Sequence, residues 1–127
     1  MKATVPFVEE KFRQFNESYF GGELPPIPIV LSRARTFLGK LEYKGKRGIF
    51  GAVVSYYDFR MKISYNFDLP ENELEDVIIH EMIHYYIVLN RIKDTSTHGK
   101  VFKGIMHTLN SQYGRHITVR YHSPANR

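Results

Sequence analysis

The sequence predicts an α+β domain: an N-terminal helix, a small antiparallel sheet, a central helix carrying His80-Glu81-Met82-Ile83-His84, and a second helix after it. Three observations carry this. Apolar residues recur at three- and four-residue spacing over residues 5–19, the signature of a helix with one buried face. Residues 61–67 alternate apolar and polar with a period of two, as a half-buried strand does. Residues 74–89 are apolar on nearly every side, as in a helix surrounded by its own domain. Strands grouped between helices, without βαβ alternation, favour an antiparallel sheet. The 127 residues fit one domain over residues 1–127, with no internal repeat, low-complexity segment or linker.

Taken in order, Val5, Val8, Phe12, Phe15 and Tyr19 form the stripe of the first helix, and Gly21-Gly22 ends it. Glu23-Leu24-Pro25-Pro26 is a stiff extended connection. Residues 27–31 and 37–43 are strand candidates. Lys44-Gly45-Lys46-Arg47-Gly48 has turn composition, and residues 49–57 return as a strand that Gly51 weakens. Met61, Ile63, Tyr65 and Phe67 point to one face of the next strand. Asp68 is placed to cap the central helix, with Pro70 in its first turn and Glu71 and Glu73 complementing its dipole. A polar loop at 91–97 leads to a helix over 99–113 with Phe102, Ile105, Met106 and Leu109 inward, stopped by Gly114. Residues 117–119 are a last strand candidate, and 123–127 a tail.

Composition narrows the chemistry. Hydrophobic residues make up 43%, enough for a core at this length. With no cysteine, disulfides, thiolate metal sites and cysteine nucleophiles are excluded, so a metal must sit on His, Asp or Glu. The first residues lack the apolar run of a signal peptide, and no stretch approaches the ~18 apolar residues of a membrane span. The expectation is a soluble, cytoplasmic monomer that does not engage membrane. A net charge of +5 favours anionic partners, nucleic acid first.

His80 and His84 lie one above the other on a helix, because residues four apart share a face. Both imidazoles therefore reach one ion at a Zn–N distance of about 2.0–2.1 Å. Glu81 sits about 100° around the helix from His80, placed to reach a water on the metal without being a ligand. That division suits zinc hydrolysis of peptides. The metal lowers the pKa of its water towards ~7 and polarises the carbonyl, and the carboxylate moves the proton to the leaving amine. Two imidazoles and a carboxylate on a buried helix are costly without a partner, which a metal supplies.

A catalytic zinc needs a third protein ligand and an open position. No Glu follows Glu81, and position 90, where a long-spaced histidine would fall, is Asn90. Asp94, His98, His107, His116 and His122 remain. His98 is favoured, because a loop that reverses the chain brings it to the start of the next helix, beside Gly99. His107 falls on the polar side of that helix, His116 and His122 suit the surface near the C-terminus, and Asp94 suits a cap or loop position.

Three segments resemble the SprT-like zinc metallopeptidases, the group that includes the Spartan proteases. They are Phe15-Asn16 through Tyr19-Phe20-Gly21-Gly22-Glu23-Leu24-Pro25; His80 to His84; and Ser96-Thr97-His98-Gly99-Lys100-Val101-Phe102 with Met106 and Asn110. The resemblance implies a zincin-like α+β fold, zinc on His80, His84 and His98, and Glu81 as acid/base. For Spartan-type members it implies cleavage of proteins attached to DNA. With no Cys, the chain is expected to be a short form without the cysteine zinc ribbon of longer members.

Arg33, Arg35, Lys40, Lys44, Lys46 and Arg47 crowd residues 33–47, with Arg60 and Lys62 beyond and Phe37, Tyr43, Tyr56 and Tyr57 among them. Such a mixture suits a phosphate backbone and stacked bases, and equally suits a solvated hairpin whose lysines discourage edge pairing. Tyr85 and Tyr86 are read as core residues, with an oxyanion donor as the alternative role. Residues 61–67 offer a strand edge to an extended peptide. The enzyme reading has a rival from another class, a nucleic-acid-binding module with a closed, structural zinc.

Overall fold

The computed structural model describes residues 1–121; His122 and the tail at 123–127 lie outside the described residues. In chain order the elements are α1 (Val5–Tyr19), β1 (Ile29–Ser32), β2 (Gly39–Arg47), β3 (Val53–Ser64), α2 (Glu71–Leu89) and α3 (Lys100–Tyr113). The class is α+β as expected, and the three helices fall where periodicity puts them.

α1 begins at Thr4, whose hydroxyl accepts from the Phe7 N–H at 3.3 Å, and buries Val8, Phe12 and Phe15. After it the chain turns through Gly21 and Gly22, at φ +64° and +70°, a region that glycine enters without strain. The Asn16 side chain closes this turn, donating to Leu24 O at 2.9 Å and accepting from Leu24 N–H at 3.0 Å.

The sheet corrects the antiparallel expectation. Its order is β1-β3-β2, with β1 parallel and β2 antiparallel to β3. Residues 33–38 reverse the chain, so β1 and β2 run oppositely as in a hairpin, but β3 inserts between them and pairs with both. Of the strand expected at 61–67, residues 61–64 are the end of β3, paired on both sides and so without a free edge for a peptide, and 65–67 lie beyond it; β1 and β2 are the edge strands.

Residues 44–47 are strand rather than turn, and 53–64 form one strand rather than two. The hairpin continues because a bulge absorbs the mismatch: Asp58 sits at φ +55° and the register shifts between Glu42 and Lys44. The shift brings Tyr56 onto the face of Phe59, and Tyr43 packs against both at 5.3 and 5.6 Å. The turn itself lies at 48–52.

α2 packs against α1, α3, β2 and β3. Leu74, Val77, Ile78, Ile79, Met82 and Ile83 are buried around its circumference, hence its lack of a polar face. Asp68 does not cap it; Pro70 occupies that position, and the Asp68 carboxylate pairs with the Met1 amino group at 2.5 Å. α3 ends at Gly114 in the left-handed conformation (φ +66°). Residues 117–119 are not a strand and pair with neither edge of the sheet. Arg115 anchors this segment instead, meeting Glu75 at 2.9 Å, Asp76 at 3.4 Å and Tyr19 Oη at 3.2 Å, while Lys11 reaches Glu75 at 2.9 Å.

Candidate metal centre

His80 and His84 project from the face of α2 towards α3, and His98 enters from the loop just before α3. The three ring nitrogens converge: His84 Nε2 lies 3.0 Å from His98 Nε2, which lies 3.2 Å from His80 Nε2. Ligands about 2.0–2.1 Å from a tetrahedral zinc stand about 3.3–3.4 Å apart, so the donor set fits one ion. Among the described residues this is the one His/Cys/Asp/Glu group so arranged, and it has three members.

Burial pushes His80 down to about 4 and His84 to about 3, and lowers His98 as well, with Arg120 and Lys103 adding to the effect at His98. The rings are therefore neutral at physiological pH, the state that binds metal. The His80 Nδ1–H donates to Thr118 O at 2.8 Å, which turns the Nε2 lone pair towards the other two rings. Phe102, fully buried, forms the floor, with its centroid 4.6–4.8 Å from each imidazole.

His98 is held through Asp94. The Asp94 carboxylate accepts from Thr95 N–H (2.7 Å), Val101 N–H (3.0 Å) and Phe102 N–H (2.9 Å), covering the start of α3 from outside the helix. Gly99 is required beside it: a Cβ there would lie 2.3 Å from Asp94 Oδ1. Asp94 is thus a cap. His107 and His116 are exposed and outside the cluster. Tyr85 is core, donating to Pro25 O at 2.9 Å, and Tyr86 packs on Phe20, away from the histidines.

Glu81 is 5% exposed, its Oε2 3.9 Å from His80 Nε2. Burial pushes its carboxyl up to about 8, against a hydrogen bond from the Leu41 backbone. That bond follows from the sheet. Leu38 O accepts from Ser64 N–H, so the even-numbered residues at the start of β2 pair with β3, and the polar groups of Gly39 and Leu41 face the free edge. Gly39 lets this edge approach α2, since a Cβ there would lie 2.9 Å from Val77 Cγ1 and 3.1 Å from Glu81 Cγ. A glycine inside a strand signals such an approach, so Gly39 was open to sequence reasoning. The parts played by the Thr118 carbonyl and the Leu41 N–H were not, because any residue supplies a backbone group.

A cleft of about 330 Å³ runs between β2 and α2, bordered by Gly39, Leu41, Tyr43, Ile87 and Thr97, with His80, Glu81, His84 and His98 at its base. A buried helix bearing two histidines on one face and the carboxylate, a third imidazole from the following loop and an edge strand over the carboxylate define an HExxH-type metal protein of α+β fold. The chain belongs to the SprT-like family, whose model matches residues 8–122. It is 34% identical to the human DNA-dependent metalloprotease SPRTN over 121 residues, which is 94% of this chain and 23% of that protein. Identity is 32% to the mouse protein of the same name, with the same coverage. It is also 32% to the Caenorhabditis elegans DNA-dependent metalloprotease dvc-1, covering 93% of this chain and 31% of that protein. The chain thus spans less than a third of these relatives.

Proposed function

We propose that the chain is a zinc metalloendopeptidase domain over residues 1–127, with His80, His84 and His98 as ligands and Glu81 as the acid/base. The observation that carries this is the convergence of three neutral imidazole nitrogens beside a buried carboxyl at the base of an open cleft. Zinc, when bound, supplies Lewis acidity towards a water and the scissile carbonyl. Glu81 then takes the proton of the attacking water and delivers it to the leaving nitrogen. A carboxyl at about 8 would hold its own proton at neutral pH; a dication nearby favours the carboxylate and brings it into the range of a base. An extended substrate lies along the free edge of β2, where Gly39 and Leu41 carbonyls are unpaired by β3, with Tyr43 and Ile87 forming the walls. A structural site would need a fourth protein ligand, and none joins the three histidines among the described residues.

DNA enters this reading as the partner that presents protein substrates, in keeping with relatives named as DNA-dependent. The basic stretch from Arg33 to Arg47 is the surface that faces it. Among the described residues no helix is long and apolar enough to cross a membrane; a cytoplasmic monomer remains part of the proposal. Glu81→Gln is expected to keep one equivalent of zinc and lose proteolysis of a protein substrate, with and without DNA. Proteolysis surviving in that variant would overturn the mechanism.

A further inference from the structure

The end of the β2–β3 hairpin departs from ordinary turn chemistry. Gly48 N–H donates to Ala52 O at 2.8 Å, Gly51 N–H donates to Gly48 O at 3.0 Å, and Gly51 sits at φ +80°. This is a three-residue hairpin loop closed by a left-handed glycine. Its central positions ordinarily take Asp, Asn, Ser, Pro or Gly. Here they are Ile49 and Phe50, each 97% exposed, side by side and touching no other part of the core. Residues that break a local rule without a packing gain mark functional sites.

The charge around them is one-sided. From residue 44 to residue 58 the only acid is Asp58, already paired with Lys44 at 3.5 Å. Lys46 and Arg47, leading into the turn, have no carboxylate partner among the described residues; the Arg47 side chain donates to Gly51 O at 2.6 Å. Arg91, at the end of α2, reaches Val54 O at 2.6 Å and adds a cation to the same flank. At the base of the hairpin one carboxylate, Glu42, is shared by Arg60 (3.1 Å), Lys62 (3.2 Å) and Lys40 (3.9 Å). The tip thus sets two cations without a carboxylate, Lys46 and Arg47, directly beside the exposed apolar pair.

We propose that this tip is a single-stranded nucleic-acid contact, with Ile49 and Phe50 set against unpaired bases and Lys46, Arg47 and Arg91 on the flanking phosphates. The inference rests on the DNA-directed part of the function proposed above. Nucleic acid is favoured over a lipid surface by the path of the charge. Lys44 and Lys46 stand two residues apart on one face of β2, about 6.7 Å, in a row running back from the tip along the free edge, while Tyr43, 43% exposed, projects from the other face and borders the cleft. Tyr57, 48% exposed, offers a further ring for stacking. A strand held there ends beside the edge of β2, so a protein carried on that strand is delivered to the histidines.

The test measures binding of the full chain to labelled single-stranded and duplex oligonucleotides and to phosphatidylserine vesicles across a salt series. Ile49→Asn/Phe50→Ser restores ordinary turn residues, and hydrolysis of a short peptide without DNA checks its fold. That variant is expected to lose at least tenfold in single-strand affinity with an unchanged salt slope. Lys46→Gln/Arg47→Gln is expected to lower the slope by about 1.4, two phosphates' worth. Unchanged single-strand affinity in the tip variant, while the wild type binds DNA, would sink the wedge and leave the DNA-directed function standing. Tip-dependent vesicle binding with tip-independent DNA binding would reassign the tip to lipid. A wild type that binds no DNA at low salt would remove both.

Discussion

Gly39→Ala puts the close approach of β2 to α2 under strain. The added methyl would sit 2.9 Å from Val77 Cγ1, 3.1 Å from Glu81 Cγ and 3.2 Å from Glu81 Oε2. Carbon atoms rest about 3.5–4.0 Å apart, so β2 and α2 must separate by roughly 0.6–1 Å. Val77 is β-branched and fully buried on a helix packed on all sides, so it has no other rotamer to adopt. Overpacking of this kind costs about 1–3 kcal/mol, and the separation lengthens the bond from Leu41 to Glu81. A displacement near 1 Å at a reacting group is worth roughly 10²-fold in rate. Urea denaturation of the metal-free protein should show the stability loss, and kcat/KM on a protein substrate the catalytic one, with zinc affinity nearly retained because Gly39 touches no histidine. Wild-type stability together with wild-type kcat/KM would refute the claim that this glycine sets the distance between edge strand and carboxylate.

Three further outcomes are expected. In the metal-free protein Glu81 holds its proton more tightly folded than unfolded, so its contribution to stability is lost as pH rises from about 4.5 to about 8, while the lowered histidines contribute the opposite slope up to about 6.5 in wild type and variant alike. Glu81→Gln removes the Glu81 contribution alone, and its melting temperature should gain on the wild type through this window and run parallel above it; a constant offset would show the carboxyl is not shifted. His98→Ala should weaken zinc binding strongly in a competition titration while His107→Ala leaves it unchanged, and the reverse ranking would displace His98 from the ligand set. Asn110 donates to Ile117 O at 3.0 Å and accepts from Ile117 N–H at 2.9 Å, holding the strandless segment whose next residue, Thr118, orients His80. Asn110→Ala should lose about 2 kcal/mol of metal-free stability, for two hydrogen bonds. It should also lose about 10–100-fold in zinc affinity, the usual effect of loosening a ligand's supporting partner; unchanged zinc affinity would count against that role.

His80, Glu81 and His84 were legible because their relation is local: the pitch of one helix places them, whatever surrounds it. The all-apolar run of α2 also announced its central position. His98 was within reach because the intervening loop is short and only a few metal-binding side chains follow His84. The role of Asp94 was half legible: its residue type suits a cap, but the amides it covers are those of Val101 and Phe102, seven and eight residues on. The extent of the hairpin was misread at 44–57 because Lys44-Gly45-Lys46 resembles a turn in composition, and a bulge at Asp58 leaves no periodicity for a short window to find.

Helix positions, the shared face of His80 and His84 and the absence of thiolate chemistry were settled by residue order alone, since each depends on composition or on neighbours within about one or two turns of chain. The order of the strands, the identity of the free edge, the backbone groups that steer His80 and Glu81, and the projection of Ile49 and Phe50 were decided only by tertiary structure. Those features are pairings between segments distant in sequence. Backbone amides and carbonyls carry no mark of residue type, so nothing in the sequence names their partners before the chain is folded.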